Sequence, residues 1–139
     1  MAFVQTSSSA TFNSCNLTKN SATHGNGGVA YVTVSDSSVT FISCSLTENT
    51  AVSSGVVYLK NTGSATFTNS TLTKNSATGS SASVGGVVSV IDPGSSATFT
   101  HSTLTMNSAT KHGGVSYSWN RGSAIFTSCN LTDNNGGVS

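Results

Sequence analysis

The chain has 139 residues, the length of one domain, and only 6% of them are charged, with a formal net charge of +1. That balance excludes a nucleic-acid partner, which needs a basic stripe to displace counterions. It also argues against ordinary disorder, which carries high net charge and little β-branched content.

Polarity comes instead from 28 Ser, 21 Thr and 13 Asn, whereas soluble proteins normally use Lys and Glu to stay in solution. The near absence of charge therefore needs a reason. No apolar run is long enough to span a bilayer, so no membrane insertion is expected. No signal peptide is visible at Met1. Cys15, Cys44 and Cys129 make an odd count, which leaves the redox compartment open.

Met1-Ala2-Phe3-Val4 opens the chain as a short β-type run. A motif then follows that occurs five times. Its fullest form reads Ala-Thr-Phe-x-x-Cys/Ser-x-Leu-Thr-x-Asn-x-Ala, followed by a variable loop and Gly-Gly-Val. The phenylalanines are Phe12, Phe41, Phe67, Phe99 and Phe126; the leucines are Leu17, Leu46, Leu72, Leu104 and Leu131. Phe and Leu are five residues apart in every copy, while successive copies lie 29, 26, 32 and 27 residues apart. A fixed core with one elastic loop marks a stacked solenoid.

The third copy shows the plan of one coil. Val56-Val57-Tyr58-Leu59 is a β-type run, and Asn61, Thr62 and Gly63 form a turn. Ala65-Thr66-Phe67-Thr68 alternates apolar and polar with the period of a half-buried strand. Asn69-Ser70 turns, Thr71-Leu72-Thr73 alternates again, and Asn75-Ser76-Ala77 turns once more. A loop over 78–84 and Gly85-Gly86 close the coil. Strands this short need a partner in the next coil. The expected fold is all-β: a right-handed parallel β-helix (β-solenoid) of about five coils with three short strands per coil, roughly 24 Å long.

Alternation assigns the core. Ala10, Val39, Ala65, Ala97 and Ala124 point in with the five Phe, and the five Leu point in from the last strand. Cys15, Cys44, Ser70, Ser102 and Cys129 share a corner position that also points in. Stacked small core residues are the favoured reading of Cys15 and Cys44, and a disulfide between them fits the spacing of neighbouring strands. In the first strand either the row Val29, Val56, Val87 and Val115 faces inward or the row one residue later does. Asn20, Asn49, Asn75, Asn107 and Asn134 recur at one turn and predict an amide ladder.

The final Gly136-Gly137-Val138-Ser139 stops where Met1 to Val4 begins. Residues 1–139 are therefore read as a single β-helix domain, either a piece of a longer repeat array or a stack that continues end to end with other copies.

The pattern Phe-x-x-Cys-x-Leu-Thr-x-Asn-x-Ala with Gly-Gly-Val-x-Tyr resembles the repeats of polymorphic outer-membrane proteins. Gly27-Gly28, Gly85-Gly86, Gly113-Gly114 and Gly136-Gly137 match, and coil two departs with Ser54-Gly55. The resemblance implies a secreted or surface-exposed β-helix of the pectin-lyase type. It says little about activity, because that fold hosts lyases, adhesins and structural arrays.

Catalysis on such a fold needs clustered carboxylates and a basic residue. Asp36, Glu48, Asp92 and Asp133 do not stack, Arg121 is the only arginine, and His24, His101 and His112 are scattered. The chain is therefore expected to be no enzyme, with no metal or cofactor. Phe3, Tyr31, Tyr58 and Tyr117, with Trp119 nearby, form a near-row; it is read as core, and as a sugar-stacking face if it points out.

Threonine rows are the sharpest signal. Thr18, Thr47, Thr73, Thr105 and Thr132 follow the inward Leu, and Asn16, Ser45, Thr71, Thr103 and Asn130 precede it. Thr11, Thr40, Thr66 and Thr98, then Ile125, lie between the Ala or Val and the Phe of the middle strand. All are expected to face solvent, about 6.6 Å apart along a strand and about 4.8 Å apart between coils. This array resembles the Thr-x-Thr faces of β-solenoid ice-binding proteins. The leading expectation is an extracellular protein that adsorbs to ice through these rows. The alternative is a non-catalytic extracellular or cell-surface module, an adhesin or filament subunit, with a polysaccharide or cell-surface matrix as partner and end-to-end self-association. Glycans at the sequons of Asn16, Asn69 and Asn130 would block docking on ice.

Overall fold

The computed structural model describes residues 2–5, 7–80 and 84–136, with Phe3 described by its backbone alone. It is a β-solenoid of parallel strands, and no helix occurs among the described residues. Consequently no helix there is long and apolar enough to cross a membrane. Four sheets run along the stack, each five-stranded, with strands added coil by coil in chain order.

Sheet A comprises Ala2–Val4, Ala30–Val32, Val57–Leu59, Val88–Ile91 and Ser116–Trp119. Sheet B comprises Ser9–Asn13, Ser38–Ile42, Ser64–Thr68, Ser96–Thr100 and Ser123–Thr127. Sheet C comprises Asn16–Thr18, Ser45–Thr47, Thr71–Thr73, Thr103–Thr105 and Asn130–Thr132. Sheet D comprises the two-residue strands Ser21–Ala22, Thr50–Ala51, Ser76–Ala77, Ser108–Ala109 and Asn135–Gly136. Each coil thus has four strands rather than the expected three. Ser76-Ala77 and its equivalents, read as turn, pair in parallel with the coils on either side. The Asn just before them holds the corner in place, so even two residues stay in register.

Register makes each coil position a column. Phe67 lies opposite Phe41 and Phe99, and Leu72 opposite Leu46 and Leu104. The Phe rings stack with centroids 5.1, 4.9, 4.6 and 4.7 Å apart and interplanar angles of 8° or less. Phe41, Phe67 and Phe99 are fully buried. Burial of each such ring contributes about 1.5–3 kcal/mol, and each stacked pair about 0.5–1.5 kcal/mol more.

Corners carry the polar side of the core. Asn20, Asn49, Asn75 and Asn107 each donate the side-chain amide to the Asn of the next coil at 2.9–3.0 Å, and the same oxygen accepts the donor residue's backbone N–H at 3.0 Å. The amides of Asn49, Asn75, Asn107 and Asn134 also donate to the carbonyl of the Leu one coil earlier, at 2.8–2.9 Å. Asn49, Asn75 and Asn107 are completely buried and bonded on both sides, which removes the penalty of burying an amide.

The inward Cys/Ser corner works similarly. The N–H of Cys44 donates to Ser70 Oγ at 3.1 Å, that of Ser70 to Ser102 Oγ at 3.2 Å, and that of Cys15 to Cys44 Sγ at 3.5 Å. All three cysteines are free thiols, so stacked small residues, not a disulfide, fill this corner.

Sheet A buries both candidate rows. Val29, Val56, Val87 and Val115 are buried in the bend, and Ala30, Val57 and Val88 point inward from the strand that follows. Tyr31 and Tyr58 then alternate to the outer side and are half-buried. The reading of the aromatic row as core is therefore corrected: the tyrosines sit outside sheet A, and Ser89 interrupts them. Tyr31 meets Tyr58 edge-on at 5.5 Å, His112 stacks on Tyr117 at 4.7 Å, and Trp119 is exposed. The side chain of Phe3 lies outside the described residues, as do Met1, Gly137, Val138 and Ser139.

Candidate functional site

The outward positions of sheets B and C hold every residue of the predicted Thr rows. In sheet C, Thr71 lies opposite Ser45 and Thr103, and Thr73 opposite Thr47 and Thr105. Thr18 and Thr132 extend the second column to both end coils. In sheet B, Thr11, Thr40, Thr66 and Thr98 form one column, which Ile125 completes with its side chain exposed.

Sheet B carries two further columns that the motif alone did not single out. Ser9, Ser38, Ser64, Ser96 and Ser123 line one side of the Thr column. Asn13, Ile42, Thr68, Thr100 and Thr127 line the other. The signal for them is the same two-residue alternation, continued one step each way along strands that are five residues long. Sheet B therefore presents three columns and sheet C two.

Charged residues border both sheets, with Asp36, Lys60, Asp92 and Arg121 in the turns that lead into sheet B, so the sheets differ in hydrogen bonding, at the first, second and fifth strands of sheet C. None of the nine charged residues lies on a strand. Lys19, Glu48, Lys74 and Asp133 stand at the corner next to the Thr18–Thr132 column, each at φ 53–56°, and Lys19 pairs with Glu48 at 3.7 Å. The corner between sheets B and C is occupied by Ser14, Ser43, Asn69, His101 and Ser128, also in the left-handed region. On sheet C, Thr18 Oγ1 donates to Asn16 Oδ1 at 2.7 Å, Thr132 Oγ1 donates to Asn130 Oδ1 at 3.3 Å, and the Ser45 and Thr47 hydroxyls are 3.4 Å apart. Among the described residues, no Ser or Thr hydroxyl on the outer face of sheet B is hydrogen-bonded within the protein. Those hydroxyls are left for water or a ligand.

Elsewhere the chemistry is sparse. No group of three or more His, Cys, Asp or Glu comes together among the described residues. Comparison with protein-family models, curated proteins and solved structures finds no significant match.

Proposed function

We propose that this chain is an extracellular ice-binding protein that adsorbs to ice through the outer face of sheet B, with sheet C as its flank. One observation carries the reading: an uncharged, in-register lattice, mostly of Ser and Thr, whose hydroxyls have no hydrogen-bond partner among the described residues. Ice offers a repeating array of weak donors and acceptors. A protein competes for it by repeating its own anchors, about 6.6 Å apart along a strand and about 4.8 Å between coils. Methyl groups order the water between the anchors, and hydroxyls bond to it. A charged side chain would hold its own hydration shell and break the pattern, which gives the low charge content its reason. Rigidity matters equally, and the Phe stack and Asn ladder supply it.

Substitution at the centre of each face tests the assignment. Thr66→Tyr and Thr98→Tyr are expected to abolish ice-growth inhibition, whereas Thr73→Tyr and Thr105→Tyr only weaken it. The reverse pattern moves the site to sheet C, and unchanged activity in all four variants removes ice binding through these rows.

A second reading is a non-catalytic surface module, an adhesin or filament subunit, in keeping with the resemblance to polymorphic outer-membrane-protein repeats. It is favoured by the exposed sequon asparagines: Asn16 and Asn130 on sheet C and Asn69 at the B–C corner. Glycans there would stand over both faces. Mass measurement of the natively secreted protein separates the two, since ice binding through sheet B requires Asn69 to be unmodified.

A further inference from the structure

We propose that the open groove where the turns of the second, third and fourth coils meet is a binding site for a neutral oligosaccharide. This goes beyond ice binding and does not depend on it, because the groove lies off sheets B and C. The turn from sheet A to sheet B spans 33–37 in coil two and 60–63 in coil three, so the second coil's turn is one residue longer. A groove of about 830 Å3 lies along these turns and that of coil four.

The lining is mixed in the way a sugar requires. Asn61 donates its amide to Thr33 O at 2.9 Å, tying two turns together at the groove wall. Lys60 brings an ammonium donor and Asp92 a carboxylate acceptor, and among the described residues neither is within ion-pair distance of another charge. Val34 and Pro93 add apolar surface for the C–H faces of a ring. One positive and one negative charge leave no net charge, so a polyanion is not favoured overall, and a neutral polyol gains both donor and acceptor. The groove crosses two coil steps, about 10 Å, which suits linked sugar rings better than a single one.

Tyr58 precedes the groove on the same strand of sheet A, next to Tyr31. Its hydroxyl is held in the neutral form above the ordinary tyrosine range by burial, then by Tyr31, then by Asp92. Tyr58 stands two residues before Lys60, on the strand that leads into the groove.

The test is an amide NMR titration of the isotopically labelled chain with cellohexaose, laminarihexaose, mannohexaose and xylohexaose, each to about 10 mM. The expected result is saturable shifts at 33–35, 60–62 and Asp92 with at least one of them. Asp92→Asn, chosen because Asn tolerates the left-handed backbone at φ 79°, and Lys60→Ala should each weaken that binding about tenfold while leaving ice-growth activity unchanged. No saturable shift with any of the four sugars, shifts confined to other surfaces, or affinity unchanged in both variants would overturn the proposal.

Discussion

At the scale of single residues, the buried asparagines carry the largest local stake. Asn75 Oδ1 accepts both the backbone N–H and the side-chain amide of Asn49, while its own amide donates to Asn107 and to Leu46 O. Asn75→Ala leaves two donors and a carbonyl unpaired in a dry core. Chemical denaturation should show a loss of about 3 kcal/mol or more. Asn20→Ala, at the half-exposed end of the ladder, should cost about 1 kcal/mol. This row was legible from sequence because the same residue fills the position in all five copies.

The neighbouring corner was not legible. Lys19, Glu48, Lys74, Met106 and Asp133 share a left-handed backbone but no side-chain chemistry. Met106 sits there at φ 54° with its side chain 47% exposed. Met106→Asn relieves a strained conformation and should raise stability by about 1 kcal/mol, read as a higher thermal midpoint.

Tyr58 adds a pH dependence at the same scale. Its folded pKa is raised, so folding favours the neutral phenol. The stabilising term is complete below the unfolded tyrosine pKa and is lost as pH rises through the folded value. Phenolate absorbance should show a tyrosine titrating above the ordinary tyrosine range, absent in Tyr58→Phe.

At the scale of elements, the strands owe their existence to the stack. A strand of two residues such as Ser76-Ala77 carries no readable period, which is why three strands per coil were expected and four are present. The longer sheet B strands did announce themselves, and their inward and outward positions follow the alternation directly. The first strand did not, because Val87 and Val88 are both buried, one in the bend and one on the sheet.

Coil closure depends on the Gly-Gly pair. A side chain at Gly86 would collide with Gly114 O and lie 2.7 Å from Ser108 O, so the backbones of adjacent coils meet with no room between them. Gly86→Ala should destabilise the chain by about 3 kcal/mol or more and loosen the coils on both sides. Hydrogen exchange would register this as lost protection in sheets A and D around coils three to five. The first position is equally tight at Gly27, Gly85 and Gly113, where a side chain would collide with a backbone carbonyl, but coil two carries Ser54 there. Its hydroxyl is buried without a partner, so Ser54→Ala should not reduce stability.

At the scale of the whole molecule, the coils form a quasi-one-dimensional stack in which each coil contacts its neighbours through the same side chains. Ordered columns on the outside are a consequence of ordered columns within: the Phe and Leu that fix the register inside also place Thr66 opposite Thr40 and Thr98 outside. What such a lattice could bind is decided by its surface chemistry, not by the fold. The rows were visible in sequence. Their relative merit was not, because it rests on hydrogen bonds between side chains two residues apart. The most direct measurement is ice growth in a nanolitre osmometer with purified, unglycosylated protein. A gap between melting and freezing points, with crystals shaped into facets and the effect lost in Thr66→Tyr, is the predicted result. Round crystals that grow freely at the highest soluble concentration would contradict the account.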